Sequence, residues 1–149
     1  MTFFQFEADF VDSLNCIPMQ VRYKLDTCGV KLKLAHWHKF PQEIRSQLCD
    51  RPCDSFTEVK DYHDWLHQQV IEYTGSEAKD LPIEENPSWL DDTIVPEMVQ
   101  GKAQAFNLTI TLEQWAKLTP LQRFALIKLS RSSHENANFI PAMKEFNLV

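Results

Sequence analysis

The chain has 149 residues, of which 44% are hydrophobic, 24% charged and 11% aromatic, and its formal net charge is −6. A chain of this length and composition forms one globular domain that buries roughly 70% of its unfolded surface without disulfide or metal staples. Three glycines in the whole sequence exclude a glycine-rich phosphate cradle and a turn-rich all-β fold, and the acidic balance excludes a nucleic-acid partner.

The negative charge belongs to the middle third. Residues 1–50 carry six basic and six acidic side chains, residues 51–100 three and twelve, and residues 101–149 six and three. Such a band keeps a chain soluble, and it also steers a basic protein surface. No apolar run approaches the ~18 residues that span a bilayer. The opening "MTFFQFEADF" has acids where a secretory leader has a basic start and a long apolar run. The expected location is the cytoplasm, without a membrane partner and with the cysteines as reduced thiols.

In chain order, Phe3, Phe4, Phe6 and Phe10 open an extended piece that enters a short helix. Pro18 suits the first turn of a helix, and Gly29 suits its left-handed end. Val30, Leu32 and Leu34 alternate with lysines, the pattern of a short extended segment with one apolar face. Trp37 follows, flanked by His36 and His38, and Pro41 opens a helix that runs to about residue 50. Ser55 with Glu58 forms a capping box, and Gly75 closes a helix predicted from about Phe56 to Thr74. Phe56, Val59, Leu66, Val70 and Tyr73 form its apolar stripe, with His63 on the same side. Residues 75–95, "GSEAKDLPIEENPSWLDDTIV", read as an acidic linker with two prolines. Pro96 then opens a second series: a left-handed end at Asn107, an alternating Leu108, Ile110 and Leu112, Trp115, and a helix opened by Thr119-Pro120. The tail "NFIPAMKEFNLV" reads as a final short helix with Asn147 as its terminator.

The two series superimpose at an offset of 78. Residues 17–49 then lie on 95–127 without a gap, with eight of 33 positions identical, among them Trp37/Trp115 and Arg45/Arg123. The tryptophan is common to both, whereas His36 faces Gln114 and His38 faces Ala116. Each tryptophan is therefore read as a packing anchor with one N–H to satisfy, and the histidines as surface residues of one half. Cys28 faces Phe106 and Cys49 faces Ile127, so these thiols read as small buried hydrophobes. Arg45 and Arg123, eight residues after their tryptophans, are candidates for binding an anionic cofactor, but the preferred reading is structural: a salt bridge or a guanidinium stacked on the indole.

The strongest metal candidate is Cys49-x3-Cys53-x9-His63-x3-His67. Two thiolates and two imidazoles suit zinc, and histidines four apart share one side of a helix. The nine-residue gap is shorter than the usual twelve or so, and ordinary packing is the preferred reading, with no cofactor expected. No G-x-S-x-G, H-E-x-x-H or P-loop is present. The adjacent carboxylates Glu84-Glu85 and Asp91-Asp92 fall in the linker and are candidates for binding a partner rather than for catalysis.

The expected architecture is mainly α: a single domain, 1–149, of two pseudo-repeated helical halves, about 17–50 and 95–131, joined by the capped helix and the linker. The segments 30–34 and 108–112 are expected to pair as a small two-stranded ribbon.

"FFQFEADF", "IPMQVRYKLDTCGVKLKL" with the tryptophan after it, "LIKLSR" and "NFIPAMKEF" together resemble the nitrate reductase-associated protein family, found mainly in cyanobacteria. The resemblance covers nearly the whole chain and brings no catalytic residues with it. It implies a non-enzymatic accessory role, since such proteins are encoded near assimilatory nitrate reductase and molybdopterin biosynthesis genes. The implied partner is the reductase, which carries a molybdenum cofactor and an iron–sulfur cluster. This chain has no ferredoxin-like cysteine spacing of its own. The alternative class is a small metal- or cofactor-handling protein using Cys49, Cys53, His63 and His67.

Overall fold

The computed structural model describes residues 4–7, 16–131 and 136–149, and Phe3 and Phe10 of the aromatic N-terminal segment lie outside them. The chain is mainly helical, with a small two-stranded antiparallel ribbon among the described residues. It divides into two compact units, one from Glu7 to Glu84 and one from Glu85 to Val149 together with Phe4–Phe6. The division falls inside the acidic segment 75–95.

The first unit contains α1 (Met19–Cys28), β1 (Val30–Lys31), α2 (Leu34–Lys39), α3 (Gln42–Asp50), α4 (Phe56–Thr74) and β2 (Lys79–Asp80). Helix α1 starts after Pro18, which supplies no capping side chain. The buried Glu7 takes that place, its Oε2 accepting the backbone N–H of Met19 at 3.0 Å, where a negative charge suits the helix dipole. Gly29 ends the helix at φ 77°, and a Cβ there would come within 2.8 Å of the Leu81 carbonyl, so no other residue fits. The core is built by Val21, Leu25, Trp37, Leu48, Leu66 and Val70 with their neighbours. The Tyr62 hydroxyl, buried among them, donates to the Leu48 carbonyl at 2.7 Å.

Among the described residues, the second unit contains a 3-10 turn at Ser88–Leu90 and the helices α5 (Glu97–Ala105), α6 (Leu112–Lys117), α7 (Pro120–Arg131) and α8 (Asn136–Glu145). Trp89 on the 3-10 turn is buried and meets Phe124 edge to face, with ring centroids 5.1 Å apart. Phe4, Phe6 and Phe146 form an aromatic cluster, and the Phe6 N–H donates to Glu145 Oε1 at 3.1 Å. Asn107 and Asn147 each adopt φ 61°, so both asparagines follow their helices in the left-handed region.

The ribbon differs from its expected pairing. Val30 and Lys31 pair with Asp80 and Lys79, within the first unit, and not with residues 108–112. The reason lies in the Gln100 side chain, which does for the second segment what a strand would do. Its Nε2 donates to the Ile110 carbonyl at 2.6 Å and its Oε1 accepts the Ile110 N–H at 2.8 Å. Leu34 and Leu112 are not strand residues either: each is the first residue of a short helix, about half exposed. The stripe of α4 also shifts. Phe56 is 88% exposed, and the buried positions are Tyr62, Leu66 and Val70.

Candidate functional site

Helix α4, 19 residues long, is capped at both ends. Ser55 Oγ accepts the Glu58 N–H at 3.1 Å, Glu58 Oε1 accepts the Ser55 N–H at 2.9 Å, and Gly75 closes the far end at φ 73°. Tyr62, Leu66 and Val70 turn toward the core. His63 and His67 each follow a core position, so they lie about 100° further round the helix, on its half-exposed flank.

There they meet Asp80. Its Oδ1 is 2.8 Å from His63 Nε2 and 2.7 Å from His67 Nε2. The two imidazole centroids are 4.5 Å apart. Asp80 is held by the strand pairing of β2 with β1, and the next residue, Leu81, donates its N–H to the Gly29 carbonyl at 2.8 Å. On the other side of the ring, His63 Nδ1 is 3.0 Å from Asp64 Oδ1. Burial works against a charged His63, but the Asp64 and Asp80 carboxylates outweigh it and hold its pKa above the ordinary value. The histidines in turn lower the pKa of Asp80. A cleft of about 420 Å³ opens beside the cluster, walled by Phe56, Val59 and Ile83 and bordered by Lys60, His63, Asp64 and Asp80.

The four-residue zinc set is not assembled. Among the described residues, the group of three or more metal-ligating side chains that converge is His63, His67 and Asp80, without a cysteine. Cys49 and Cys53 are buried in the core instead. Burial pushes the Cys49 thiol up to about 11. Cys53 shares a hydrogen bond with Cys28, which lowers the pKa of Cys53 and, with burial, raises that of Cys28. Lys24 closes the loop beside them, its ammonium donating to the carbonyls of Cys49 at 2.5 Å and Arg51 at 2.7 Å.

Trp37 and Trp115 are both fully buried. Trp115 Nε1 donates to the Asp91 carbonyl at 2.9 Å. Arg45 stacks over Trp37 at 5.7 Å and donates to the carbonyls of Trp37 and His38 at 3.1 and 3.0 Å. Arg123 is buried and donates to the carbonyls of Trp115, Trp89 and Leu118 at 3.1, 2.9 and 2.7 Å. His38 is exposed, whereas His36 is half-buried and caps α2, its Nδ1 accepting the Lys33 N–H at 3.2 Å. Gln114 does the same for Thr111 at the start of α6, at 2.9 Å.

The acidic candidates Glu84, Glu85, Asp91 and Asp92 are all exposed. Asp91 accepts from both the hydroxyl and the N–H of Thr93, which lowers its pKa. Glu85, Asp91 and Asp92 border a groove of about 340 Å³ with Leu90.

Asp80 and Asp64 are the residues that sequence reasoning missed at the cluster. Asp64 adjoins His63, but Asp80 lies in the segment read as linker, and a two-residue strand has no periodicity to betray it.

These features define a mainly helical protein with a histidine–carboxylate cluster on one flank and a carboxylate-lined groove. No helix among the described residues is long and apolar enough to cross a membrane. The chain belongs to the family described as conserved nitrate reductase-associated protein, whose model matches residues 3–146. No curated protein and no solved structure matches it.

Proposed function

We propose that the protein is a non-enzymatic accessory factor that binds assimilatory molybdenum nitrate reductase in the cytoplasm and supports its production in active form. Membership of the nitrate reductase-associated family over residues 3–146 carries this reading. The acidic groove is its candidate docking surface. Three of the four acidic candidates border the groove together with Leu90, which is 55% exposed, and Ile94, two residues after Asp92 in the chain, is 64% exposed. Carboxylates around apolar side chains suit a basic protein surface, with charge steering the encounter and apolar contact holding it.

The test is co-purification of the reductase with the full chain at rising salt, which should weaken the complex. Changing Glu84, Glu85, Asp91 and Asp92 to lysine should weaken it further and lower reductase activity at equal reductase protein. Asp91 also holds the turn at Thr93, so a second variant changes only Glu84, Glu85 and Asp92. Unaltered binding and reductase activity with both variants would remove the groove from the account. Absence of any association between the two proteins would remove the binding role itself.

A further inference from the structure

We propose that His63, His67 and Asp80 form a binding site for a divalent first-row transition metal ion, with Asp64 as its outer partner. The site goes beyond the accessory reading and does not depend on it. Two imidazole Nε2 atoms converge on one carboxylate oxygen, at 2.8 and 2.7 Å. Ligand atoms of all three side chains lie within 4.8 Å of one another. Ligands of a tetrahedral zinc ion stand about 2.0–2.2 Å from the metal and so roughly 3.3 Å apart. For the two histidine–Asp80 pairs, reaching that spacing needs an opening of about half an ångström, a small rotation for an Asp80 side chain that is 64% exposed.

The contacts on the two sides of the His63 ring point the same way. A carboxylate oxygen faces each of its ring nitrogens, Asp64 at Nδ1 and Asp80 at Nε2. The imidazolium satisfies both, whereas the neutral imidazole, the form that ligates a metal, has one N–H and satisfies only one. A cation at Nε2 takes the place of the second proton: the remaining one stays on Nδ1 and donates to Asp64. This is the carboxylate–histidine–metal arrangement that fixes tautomer and ring orientation. The supports are rigid, since the histidines are four apart on a helix capped at both ends and Asp80 is pinned by strand pairing. Three protein ligands leave a fourth position for water or a bound group, and the 420 Å³ cleft lies beside it.

The test uses the full chain after chelation and dialysis, titrated with Zn²⁺ by calorimetry and with Co²⁺ by absorption spectroscopy. The expected result is one ion per chain and a cobalt spectrum without sulfur-to-metal charge transfer. His67→Ala and Asp80→Asn should each weaken zinc binding by about a hundredfold or more, and Asp64→Asn by about ten- to a hundredfold. Cys49→Ser, Cys53→Ser, His36→Ala and His38→Ala should leave it unchanged. No uptake by the wild-type chain would overturn the proposal. So would uptake indifferent to both His67→Ala and Asp80→Asn, or a thiolate signature in the cobalt spectrum. The cobalt spectrum is read on the wild-type chain, so that arm stands even where a variant loses its fold by circular dichroism.

Discussion

Arg123 donates its Nε–H to the carbonyl of Trp115 at 3.1 Å, across the end of the short helix that carries the tryptophan. Its remaining N–H groups reach Trp89, Ala116 and Leu118, so one guanidinium gathers four carbonyls that point to the same place. The residue is 6% exposed. Arg123→Met should therefore cost about 3–5 kcal/mol, because buried carbonyls lose their donors. Arg123→Lys should recover less than half, since an ammonium cannot present the planar fork. Arg45 makes the corresponding bond to Trp37 at 3.1 Å but is half-buried, and Arg45→Met should cost about 1 kcal/mol. Urea unfolding of the three variants checks the order, and equal losses at the two arginines would contradict it.

Trp37→Ala and Trp115→Ala should each cost about 3–5 kcal/mol, as expected for large core aromatics. His36→Ala should cost about 0.5–1 kcal/mol through its lost cap, and His38→Ala should stay within about 0.5 kcal/mol. Far-UV circular dichroism in urea measures all four. A His38 variant that unfolded while the tryptophan variants stood would overturn the anchor reading.

Gln100 substitutes for a strand at Ile110, whose side chain is 1% exposed. Gln100→Ala should cost about 2 kcal/mol, because a buried N–H and carbonyl both lose their partner. Gln100→Glu keeps the acceptor for the N–H but sets a carboxylate against the carbonyl. It should be at least as destabilising near neutral pH and should improve on acidification. A Gln100→Glu chain as stable as the wild type at neutral pH would refute the two-way bond.

The backbone N–H groups of Ser55 and Asp54 hold the Glu58 carboxyl below its ordinary value of 4.5. A pKa depressed on folding adds stability that is present above the unfolded value and lost as pH falls through the folded one. The stability difference between wild type and Glu58→Gln should therefore be level near neutral pH and close as pH drops below about 4.5. Denaturant melts across that range give the result, and a gap that persists into acid would exclude Glu58 as its source.

The helix ends were legible without coordinates. The Ser55–Glu58 box, Gly29, Gly75, Asn107 and Asn147 act on their immediate neighbours, and capping chemistry is local. The alignment of residues 17–49 with 95–127 picked out Trp37 and Trp115 as large apolar groups and set both His36 and His38 apart as surface residues, of which His38 is exposed and His36 is half-buried. What the sequence could not supply was every partner chosen at a distance. Glu7 caps a helix twelve residues away. Gln100 takes the place of the strand expected beside Ile110. The burial of Tyr62 in place of Phe56 reflects which side of α4 meets α1 and α2, and periodicity alone leaves that rotation open. The site shows the division most clearly. His63 and His67 share a flank because a helix repeats every 3.6 residues, which the spacing already implied. Their third member came from tertiary structure: a two-residue pairing with Val30 brings Asp80 to both imidazoles, while core packing draws Cys49 and Cys53 inward, away from the histidines.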